Sequence, residues 1–379
     1  MSYTEKLSLA SKGGPRIGLD LEQALIACAQ VKGSRQSQVL TAAAVQALPE
    51  GLVSDGEVVD VQGLANELKA FWKHHDFRGR HVHLGVANQK IVVRTMEFPV
   101  IDEKELRAAI EFQAQEAIPI PVEEAVLDYQ VMSTFTAEDG SARQRILLVA
   151  AQREMVRQFV DVVRKANLMV DGIDLQAFAL ARAAAPLPTL LGDSEQEQNG
   201  GATALVNIGA GITNLVVVVG TTPQFTRVIN LGSESLITAL MTERNVDLDE
   251  AWRMAVTVGL RGPSEDAYPD DLGADVIESI HTTLEGACET FSDEIRRSVD
   301  YYHTQAHEGQ IARLLVTGDG ALTRNIASYL GQALHLPVEL ADPLQRLGEN
   351  KSKLSEAELA VMAPRLAIAI GLALDDEEA

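Results

Sequence analysis

The sequence predicts an α/β fold built as two lobes around a shared cleft, and three observations carry that expectation. A strand–turn–strand unit, IGLDLEQALIAC, opens the first half, and LVNIGAGITNLVV opens the second in the same way. A strand–glycine–helix unit, LLVTGDGALTRNIASYL, follows later in the second half. Between the halves, residues 186–201 (PLPTLLGDSEQEQNGG) shift sharply to Pro, Gly, Gln and Glu, the strongest linker signal in the chain. With 379 residues there is room for two or three domains and a sizeable core. Aromatic residues make up only 4%, so that core has to be aliphatic.

The elements read in order as follows. From Arg16, IGLDL and ALIACAQV are two strands joined tightly at Glu22-Gln23, and QVLTAAAVQAL is a third strand or one grading into a loop. Val61 to His75 is a helix, with Leu64, Leu68, Phe71 and Trp72 on one face at helical spacing. HVHLGVA and KIVVRTMEF alternate as strands do, around Asn88-Gln89. Asp102 to Ala117 is a helix, capped by Asp102 with Glu105 completing a capping box and Leu106, Ile110 and Ala114 facing inward. Pro119 and Pro121 end it, since proline lacks the donor and its ring clashes with the preceding turn. YQVMSTF and QRILLVAA are strands joined through Asp139-Gly140. Arg153 to Ala166 is an amphipathic helix, Leu168 to Asp174 a connection, and Ala177 to Ala185 a short helix. After the linker come β-branched strands, a mostly helical stretch with one long helix from Asp275 to Tyr302, and the buried strand IARLLVT running into a turn and helix.

Charge and composition exclude several function classes. Lys and Arg number 32 against 54 Asp and Glu, a net charge of −22. A field of that sign repels phosphate backbones and anionic lipid, so no nucleic-acid binding and no direct membrane insertion are expected. No apolar run approaches the 18 to 20 residues of a membrane span. Cys28 and Cys288 are far apart and in no CxxC pair, which fits a reducing cytoplasm. His74-His75 and His81/His83 read as a helix end and an alternating strand, with no metal-ligand spacing, and no serine sits in a nucleophile elbow.

Two similar halves, each aiming a turn at a shared cleft, describe the actin, hexokinase and heat-shock-protein ATPase architecture. Further residues narrow this. Arg94-x-x-Glu97-Phe98-Pro99, Glu105-Leu106-x-x-x-Ile110, Ile118-Pro119-Ile120-Pro121 and Leu127-Asp128-Tyr129 resemble the inserted subdomain of the PilM family, the actin-like, FtsA-like cytoplasmic assembly proteins of type IV pili. Leu48 to Asp60 (LPEGLVSDGEVVD) and Glu294 to Tyr302 (EIRRSVDYY) resemble the same family. The resemblance runs from about Arg16 to about Leu374. It implies an actin-like ATPase fold of two ribonuclease-H-like lobes with an FtsA-type inserted subdomain. The expected division is 15–86 with 146–185 and 362–375 for the first lobe, and 87–145 for the insert. The second lobe takes 202–232 with 311–361, and 233–310 form its helical subdomain. Residues 1–14, 186–201 and 376–379 are expected to be flexible. The resemblance also implies ATP between the lobes, and a grip on the cytoplasmic N-terminal tail of a PilN-like inner-membrane protein.

The loops themselves argue against a working nucleotide site. Such a site needs small residues against phosphate, with a carboxylate near its metal, and successive backbone N–H groups to cradle the anion. The resemblance places ATP contacts at Asp20, Asn207, Gly209, Gly211, Thr213, Gly318 and Gly320. In the first turn Asp20 is kept, but Glu22 stands where glycine is expected, Gln23, Ala24 and Leu25 replace the hydroxyl positions, and Ala27 replaces a lysine. In the second turn Asn207 replaces an aspartate, and in the third Asp319 replaces a glycine. A carboxylate 4 Å from a phosphate charge costs about 4 kcal/mol at an effective dielectric of about 20. Pointing outward, Glu22 would escape that cost. Each residue also has a plainer reading: Asp20 as a turn stabiliser, Gly209 and Gly211 as hairpin glycines, Gly318 and Gly320 as backbone punctuation. The expectation is that ATP and Mg are held weakly or not at all and that the chain is a pseudo-ATPase.

Ile118, Pro119, Ile120 and Pro121 are the expected partner-binding residues, an apolar segment on stiff extended backbone that a peptide could meet; the plainer reading is that they close the insert's core. The functional expectation is a cytoplasmic scaffold of type IV pilus assembly or a related secretion machine. It would sit peripherally at the inner membrane through its PilN-like partner and other pilus assembly proteins. The alternatives are an ATP-binding, nucleotide-switched ATPase or phosphotransferase of the same superfamily, and an FtsA-like filament former. Against the last, Val361–Leu374 is apolar on most faces rather than an amphipathic membrane helix.

Overall fold

Strands buried on both faces lose the polar alternation of a surface strand, and the chain opens with such strands. In the computed structural model, β1 (Arg16–Leu21) and β2 (Leu25–Lys32) are buried at nearly every position, and β3 (Val39–Ala47) pairs alongside them. The structure describes residues 15–34, 37–137, 139–187, 201–263, 268–270, 272–305 and 309–374. The expected flexible arm (1–14), the acidic tail from residue 375 and residues 188–200 of the expected linker lie outside the described residues.

A small hairpin, β4 (Val53–Ser54) and β5 (Glu57–Val58), follows. Helix α1 (Val61–His74) is capped by Asp60, which accepts from the N–H groups of Gln62 and Gly63, and it buries Leu64, Leu68 and Phe71 as the spacing predicts. Trp72 is half-buried and donates its ring N–H to the Gly79 carbonyl. Then come β6 (His81–Val86), β7 (Val92–Pro99), α2 (Glu103–Ala117), β8 (Ala125–Thr136), β9 (Ala142–Gln152) and α3 (Arg153–Lys165). Next are β10 (Met169–Leu175), α4 (Gln176–Ala184), β11 (Ala202–Ile208), β12 (Thr213–Val219) and β13 (Thr222–Ile229). The helices α5 (Ser233–Arg244), α6 (Leu248–Thr257) and α7 (Ala274–Gln305) precede β14 (Ile311–Thr317) and α8 (Ile326–Leu334). Short strands β15 (Val338–Leu340) and β16 (Glu349–Asn350) and the final helix α9 (Glu356–Ala373) complete the described residues.

The main sheets follow one plan. One is ordered β10-β6-β1-β2-β3-β16 and the other β13-β12-β11-β14-β15. In each, the opening hairpin is antiparallel and its first strand has a parallel neighbour on the other side, β6 for β1 and β14 for β11. The echo between the two halves is therefore structural, and the fold is actin-like. Leu168–Asp174, expected as a connection, is instead mostly strand: β10 closes the edge of the first sheet. Its alternation is masked by Asp171, Gly172 and Asp174, which an edge position tolerates.

Between the sheets lies a layer of two helices. α9 buries Leu366, Ile370 and Ala373 with the first sheet's Leu25, Ala27 and Ala29, and Ala367, Ile368 and Leu372 with the second sheet's Leu205 and Val216. From Leu366 to Ala373 α9 is covered on both sides and has no polar face, which explains the apolar sequence there. α4 shares that layer and is alanine-rich, and the two helices touch backbone to backbone. A Cβ on Gly371 would sit 1.8 Å from the Ala179 carbonyl oxygen, and one on Gly18 would sit 1.9 Å from that of Ala369.

The third sheet is small and antiparallel, β7-β9-β8, with α2 laid across it. β9 belongs to it along its whole length to Gln152. Leu106, Ile110 and Ala114 of α2 pack on Phe98, Ile146, Leu148 and Ala150. Asp102 caps α2 by accepting from Lys104 and Glu105 N–H, while a full two-way capping box forms at Ser355 and Glu358. Replacing Asp102 by alanine is expected to lower stability by about 1 kcal/mol, read as a shifted urea midpoint with an unchanged slope.

Candidate functional site

The two opening hairpins bring their turns together, and that meeting point is the cleft. Register places Asp20 opposite Ala27 in the first hairpin and Asn207 opposite Asn214 in the second. Asp20, Asn207 and Asn214 are all buried, at 0%, 2% and 1% exposure. A side-chain relay crosses between the sheets. Gln176, at the start of α4, donates to Asp20 Oδ1 at 2.7 Å, and Asn214 donates to Gln176 Oε1 at 2.8 Å.

Glu22 points inward. Its Oε2 lies 2.7 Å from where a Cβ on Gly209 would stand, with the Ala210 backbone amide acting on its carboxylate. Buried Asn207 Nδ2 forms no conventional hydrogen bond and acts on the Glu22 carboxylate as a nearby dipole. Burial pushes the Glu22 carboxyl up to about 7, with Asp319 adding like-charge repulsion. Asp20, wholly buried beside Glu22, is raised well above the usual carboxylate range, by desolvation first and by Glu22 second. Asp20 Oδ2 has no donor directed at it. With both carboxyls raised, protonation of one relieves the repulsion between them.

Gln23 takes the space beside Gly211, its Oε1 2.1 Å from a Cβ built there, and donates its amide to Glu234 at the start of α5. A small pocket beside the turn, lined by Glu22, Gln23, Val53, Phe159, Gln176 and Ile212 among others, has a volume of about 10 Å³, room for about one water.

The third turn is occupied from within as well. Asp319 accepts from Arg365 Nε at 2.5 Å, and the Arg365 guanidinium lies over Trp252, 5.9 Å from the ring centre. The expected extra charge at Asp319 is present but neutralised locally. Gly318 (φ 90°) and Gly320 press on Ile208, where a Cβ would come within 2.5 Å of its carbonyl oxygen and 2.3 Å of its side chain. Both glycines have packing reasons to exist. Thr213 is buried and donates to the Leu231 carbonyl at 2.7 Å, so its hydroxyl is committed.

The structure thus brings Asp20, Asn207, Gly209, Gly211, Gly318 and Gly320 into one region, with Thr213 turned to the backbone. Sequence reading missed Gln176, Asn214 and Arg365. Asn214 could have been found from its position opposite Asn207 across the four-residue turn 209–212. Gln176 and Arg365 reach the cleft from distant helices and left no local signal.

The partner-binding expectation at Ile118–Pro121 needs correction in part. Ile118 is 7% exposed and belongs to the small sheet's core, where Ile120 also packs. Pro119 and Pro121 are exposed. A separate cavity of about 320 Å³ opens where β6 passes into β7, lined by Val86, Ile91, Val93, Leu175, Asn214 and Val228 among others. Asn214 Oδ1, in its wall, is unpartnered.

Comparison with known proteins agrees with this fold. A structure described as the PilM–PilN type IV pilus biogenesis complex superimposes with a TM-score of 0.77 at 23% identity, covering 94% of this chain and 97% of that one. The ethanolamine utilization protein EutJ from Carboxydothermus hydrogenoformans superimposes with a TM-score of 0.51 at 14% identity, covering 98% and 93%. The family model for the type IV pilus assembly protein PilM matches residues 18–377, nearly the whole chain, and the chain belongs to that family.

Proposed function

We propose that this protein is a scaffold of type IV pilus assembly, or of a related secretion machine, that works without a functional nucleotide site. On this reading it holds the cytoplasmic N-terminal tail of a PilN-like inner-membrane protein and sits peripherally at that membrane through it. The observation that carries the nucleotide half is Glu22. Its carboxylate lies against Gly209, 2.7 Å from where a Cβ there would stand, in the turn where a phosphate would have to approach. A triphosphate with Mg would have to displace it and part the Gln23–Glu234 contact. Among the described residues no helix is long and apolar enough to cross a membrane.

The tail's seat is the cavity beside β7, with Pro119 and Pro121 at its approach. Val92 pairs with Ala150, and Ala125 pairs with Gln152, so the 118–124 segment lies at the same end of the small sheet as Ile91 and Val93. The mixed lining, apolar at Val86, Ile91, Val93, Leu175 and Val228 and polar at Asn88, Gln89, Thr226 and Arg227, suits a peptide that brings an aliphatic anchor beside polar backbone groups. The net charge of −22 speeds the approach of a basic tail.

Calorimetric titration tests both halves. A synthetic peptide of the partner's cytoplasmic tail is expected to bind the full chain, and Val93→Asp to weaken it by about tenfold or more by placing a charge in the apolar wall. Mg-ATP is expected to give no heat. Equal tail affinity for Val93→Asp would remove the cavity assignment, and micromolar ATP affinity would remove the pseudo-ATPase reading.

A further inference from the structure

We propose that the first lobe carries a basic face, at the end of its sheet opposite the cleft, that docks on anionic phospholipid headgroups. The proposal rests on the reading that brings the chain to the inner membrane. It adds a surface contact that the partner's tail does not supply.

The segment running from the end of α1 into β6, WKHHDFRGRH (72–81), departs from the charge of the whole chain. It holds Lys73, Arg78 and Arg80 against a single acid, Asp76, where the chain as a whole carries a net charge of −22. All three cations are exposed. Elsewhere arginines lie against glutamates, as Arg157, Arg253, Arg261 and Arg297 do. Here the nearby acids are already engaged: Asp76 pairs with Lys353, and Asp171 with His81 at 2.5 Å. Among the described residues no carboxylate forms an ion pair with Lys73, Arg78 or Arg80.

The loop is also held in shape. Gln30, 2% exposed, commits both ends of its amide to the Arg78 backbone, donating to the carbonyl at 2.7 Å and accepting from the N–H at 3.2 Å. The Trp72 ring N–H donates to the Gly79 carbonyl at 3.2 Å, and the Met169 N–H to the Arg80 carbonyl at 2.7 Å. Gly79, at φ 124°, turns the chain between the two arginines. Backbone fixed at three successive residues presents both guanidinium groups with little ordering left to do on binding.

Apolar side chains stand among these cations. Met169 is 49% exposed, and Trp72 and Phe77 are half-buried with their rings 5.2 Å apart. Cations beside part-exposed aromatic groups suit a bilayer's headgroup region, charged at its surface and apolar just beneath. An acidic protein segment offers the charge without that apolar layer. The field of the whole chain opposes an anionic surface, but it is screened beyond about 8 Å at physiological salt, so headgroups in contact meet the local charge. The basic face and the tail cavity lie at opposite ends of β6, His81 at one and Val86 at the other, so both can be occupied at once.

Sedimentation of the full chain with vesicles of phosphatidylglycerol and phosphatidylcholine tests the proposal. Binding is expected, absent with phosphatidylcholine alone and fading as salt is raised. Arg78→Ala with Arg80→Ala is expected to weaken it about thirtyfold, about fivefold for each charge. Arg78→Lys with Arg80→Lys keeps the charge and is expected to retain binding, which separates charge from a change in the loop. If the alanine pair does not fold, Lys73→Gln carries the same test with a loss of about fivefold. Equal binding by the alanine pair, equal binding to phosphatidylcholine alone, or no binding by wild type overturns the proposal. Retention on a polyglutamate peptide without vesicle binding also overturns it and assigns the face to an acidic protein segment. Calorimetry with the tail peptide separates this from the reading beneath it, since the alanine pair is expected to leave tail affinity unchanged. Tail binding without vesicle binding removes the basic face's role alone. Vesicle binding without tail binding removes the scaffold assignment and leaves the basic face standing.

Discussion

Gly371→Ala is expected to destabilise the folded chain by about 3 kcal/mol or more, the upper end of what overpacking costs. The added methyl carbon would be placed 1.8 Å from the Ala179 carbonyl oxygen, with the carbonyl carbon at 2.5 Å and the Ala179 Cα at 2.9 Å. All three are backbone atoms of α4, so no side chain can rotate away. Relief requires α9 and α4 to part. α9 also rests on β1, where Gly18 meets the Ala369 carbonyl as closely, so a shift of α9 disturbs both sheets it lies between. The contrast is Gly286→Ala on the exposed side of α7, where a Cβ meets nothing within 4 Å. That substitution is expected to stabilise by about 0.5–1 kcal/mol, through helix propensity and a restricted unfolded chain. Urea unfolding followed by circular dichroism reads both. A Gly371→Ala chain within about 1 kcal/mol of wild type would mean the helix layer is looser than the packing requires.

The pattern of particular residues shows what was legible beforehand. The hairpins were readable because burial on both faces left uninterrupted β-branched and aliphatic runs, and because two similar turns lay at corresponding places. α1 and α2 were readable from 3.6-residue spacing and their Asp caps. β10 was not, because an edge strand carrying Asp171, Gly172 and Asp174 has the composition of a connection. β16 was not, because two residues that pair with β3 from the far end of the chain leave no periodic trace. At the cleft, the departures Glu22, Asn207 and Asp319 were visible as residue types in the wrong places. Their orientation was not, since whether Glu22 turns inward depends on donors at Ala210, some 190 residues away in sequence. Ile118 shows the opposite failure: the Ile-Pro-Ile-Pro run looked like a presented surface, but alternate side chains close the core beneath α2.

Two buried carboxyls raised above their ordinary range give the chain a pH-dependent stability profile. Glu22 titrates near 7 in the folded chain against an ordinary 4.5, and Asp20 is raised as well. The folded state therefore holds protons that the unfolded chain releases once pH passes 4.5. Stability from this source is complete below that point, falls as pH rises toward 7, and levels off above it. At about 1.4 kcal/mol per pH unit, the rise at Glu22 corresponds to about 3 kcal/mol, and its partial exposure brings the expected loss nearer to about 2 kcal/mol. Carboxylates with the opposite tendency, such as Glu154, Glu250 and Glu358, are held below their ordinary values by arginine or by backbone and hydroxyl donors. Their contribution disappears only as pH falls below about 4.5, so they shape the acid limb alone. Maximum stability is thus expected near pH 5, with a decline to pH 8 in urea midpoints. General repulsion in a chain of net charge −22 also grows over that range, and Glu22→Gln separates the two causes. If the decline belongs to the buried pair, Glu22→Gln removes the share of Glu22 and the like-charge part of Asp20's, leaving only what the burial of Asp20 contributes. If repulsion among surface carboxylates were responsible, the variant, lighter by one charge in 22, would decline almost as steeply as wild type. A flattened profile would also mean that folding around these two carboxyls is coupled to proton uptake.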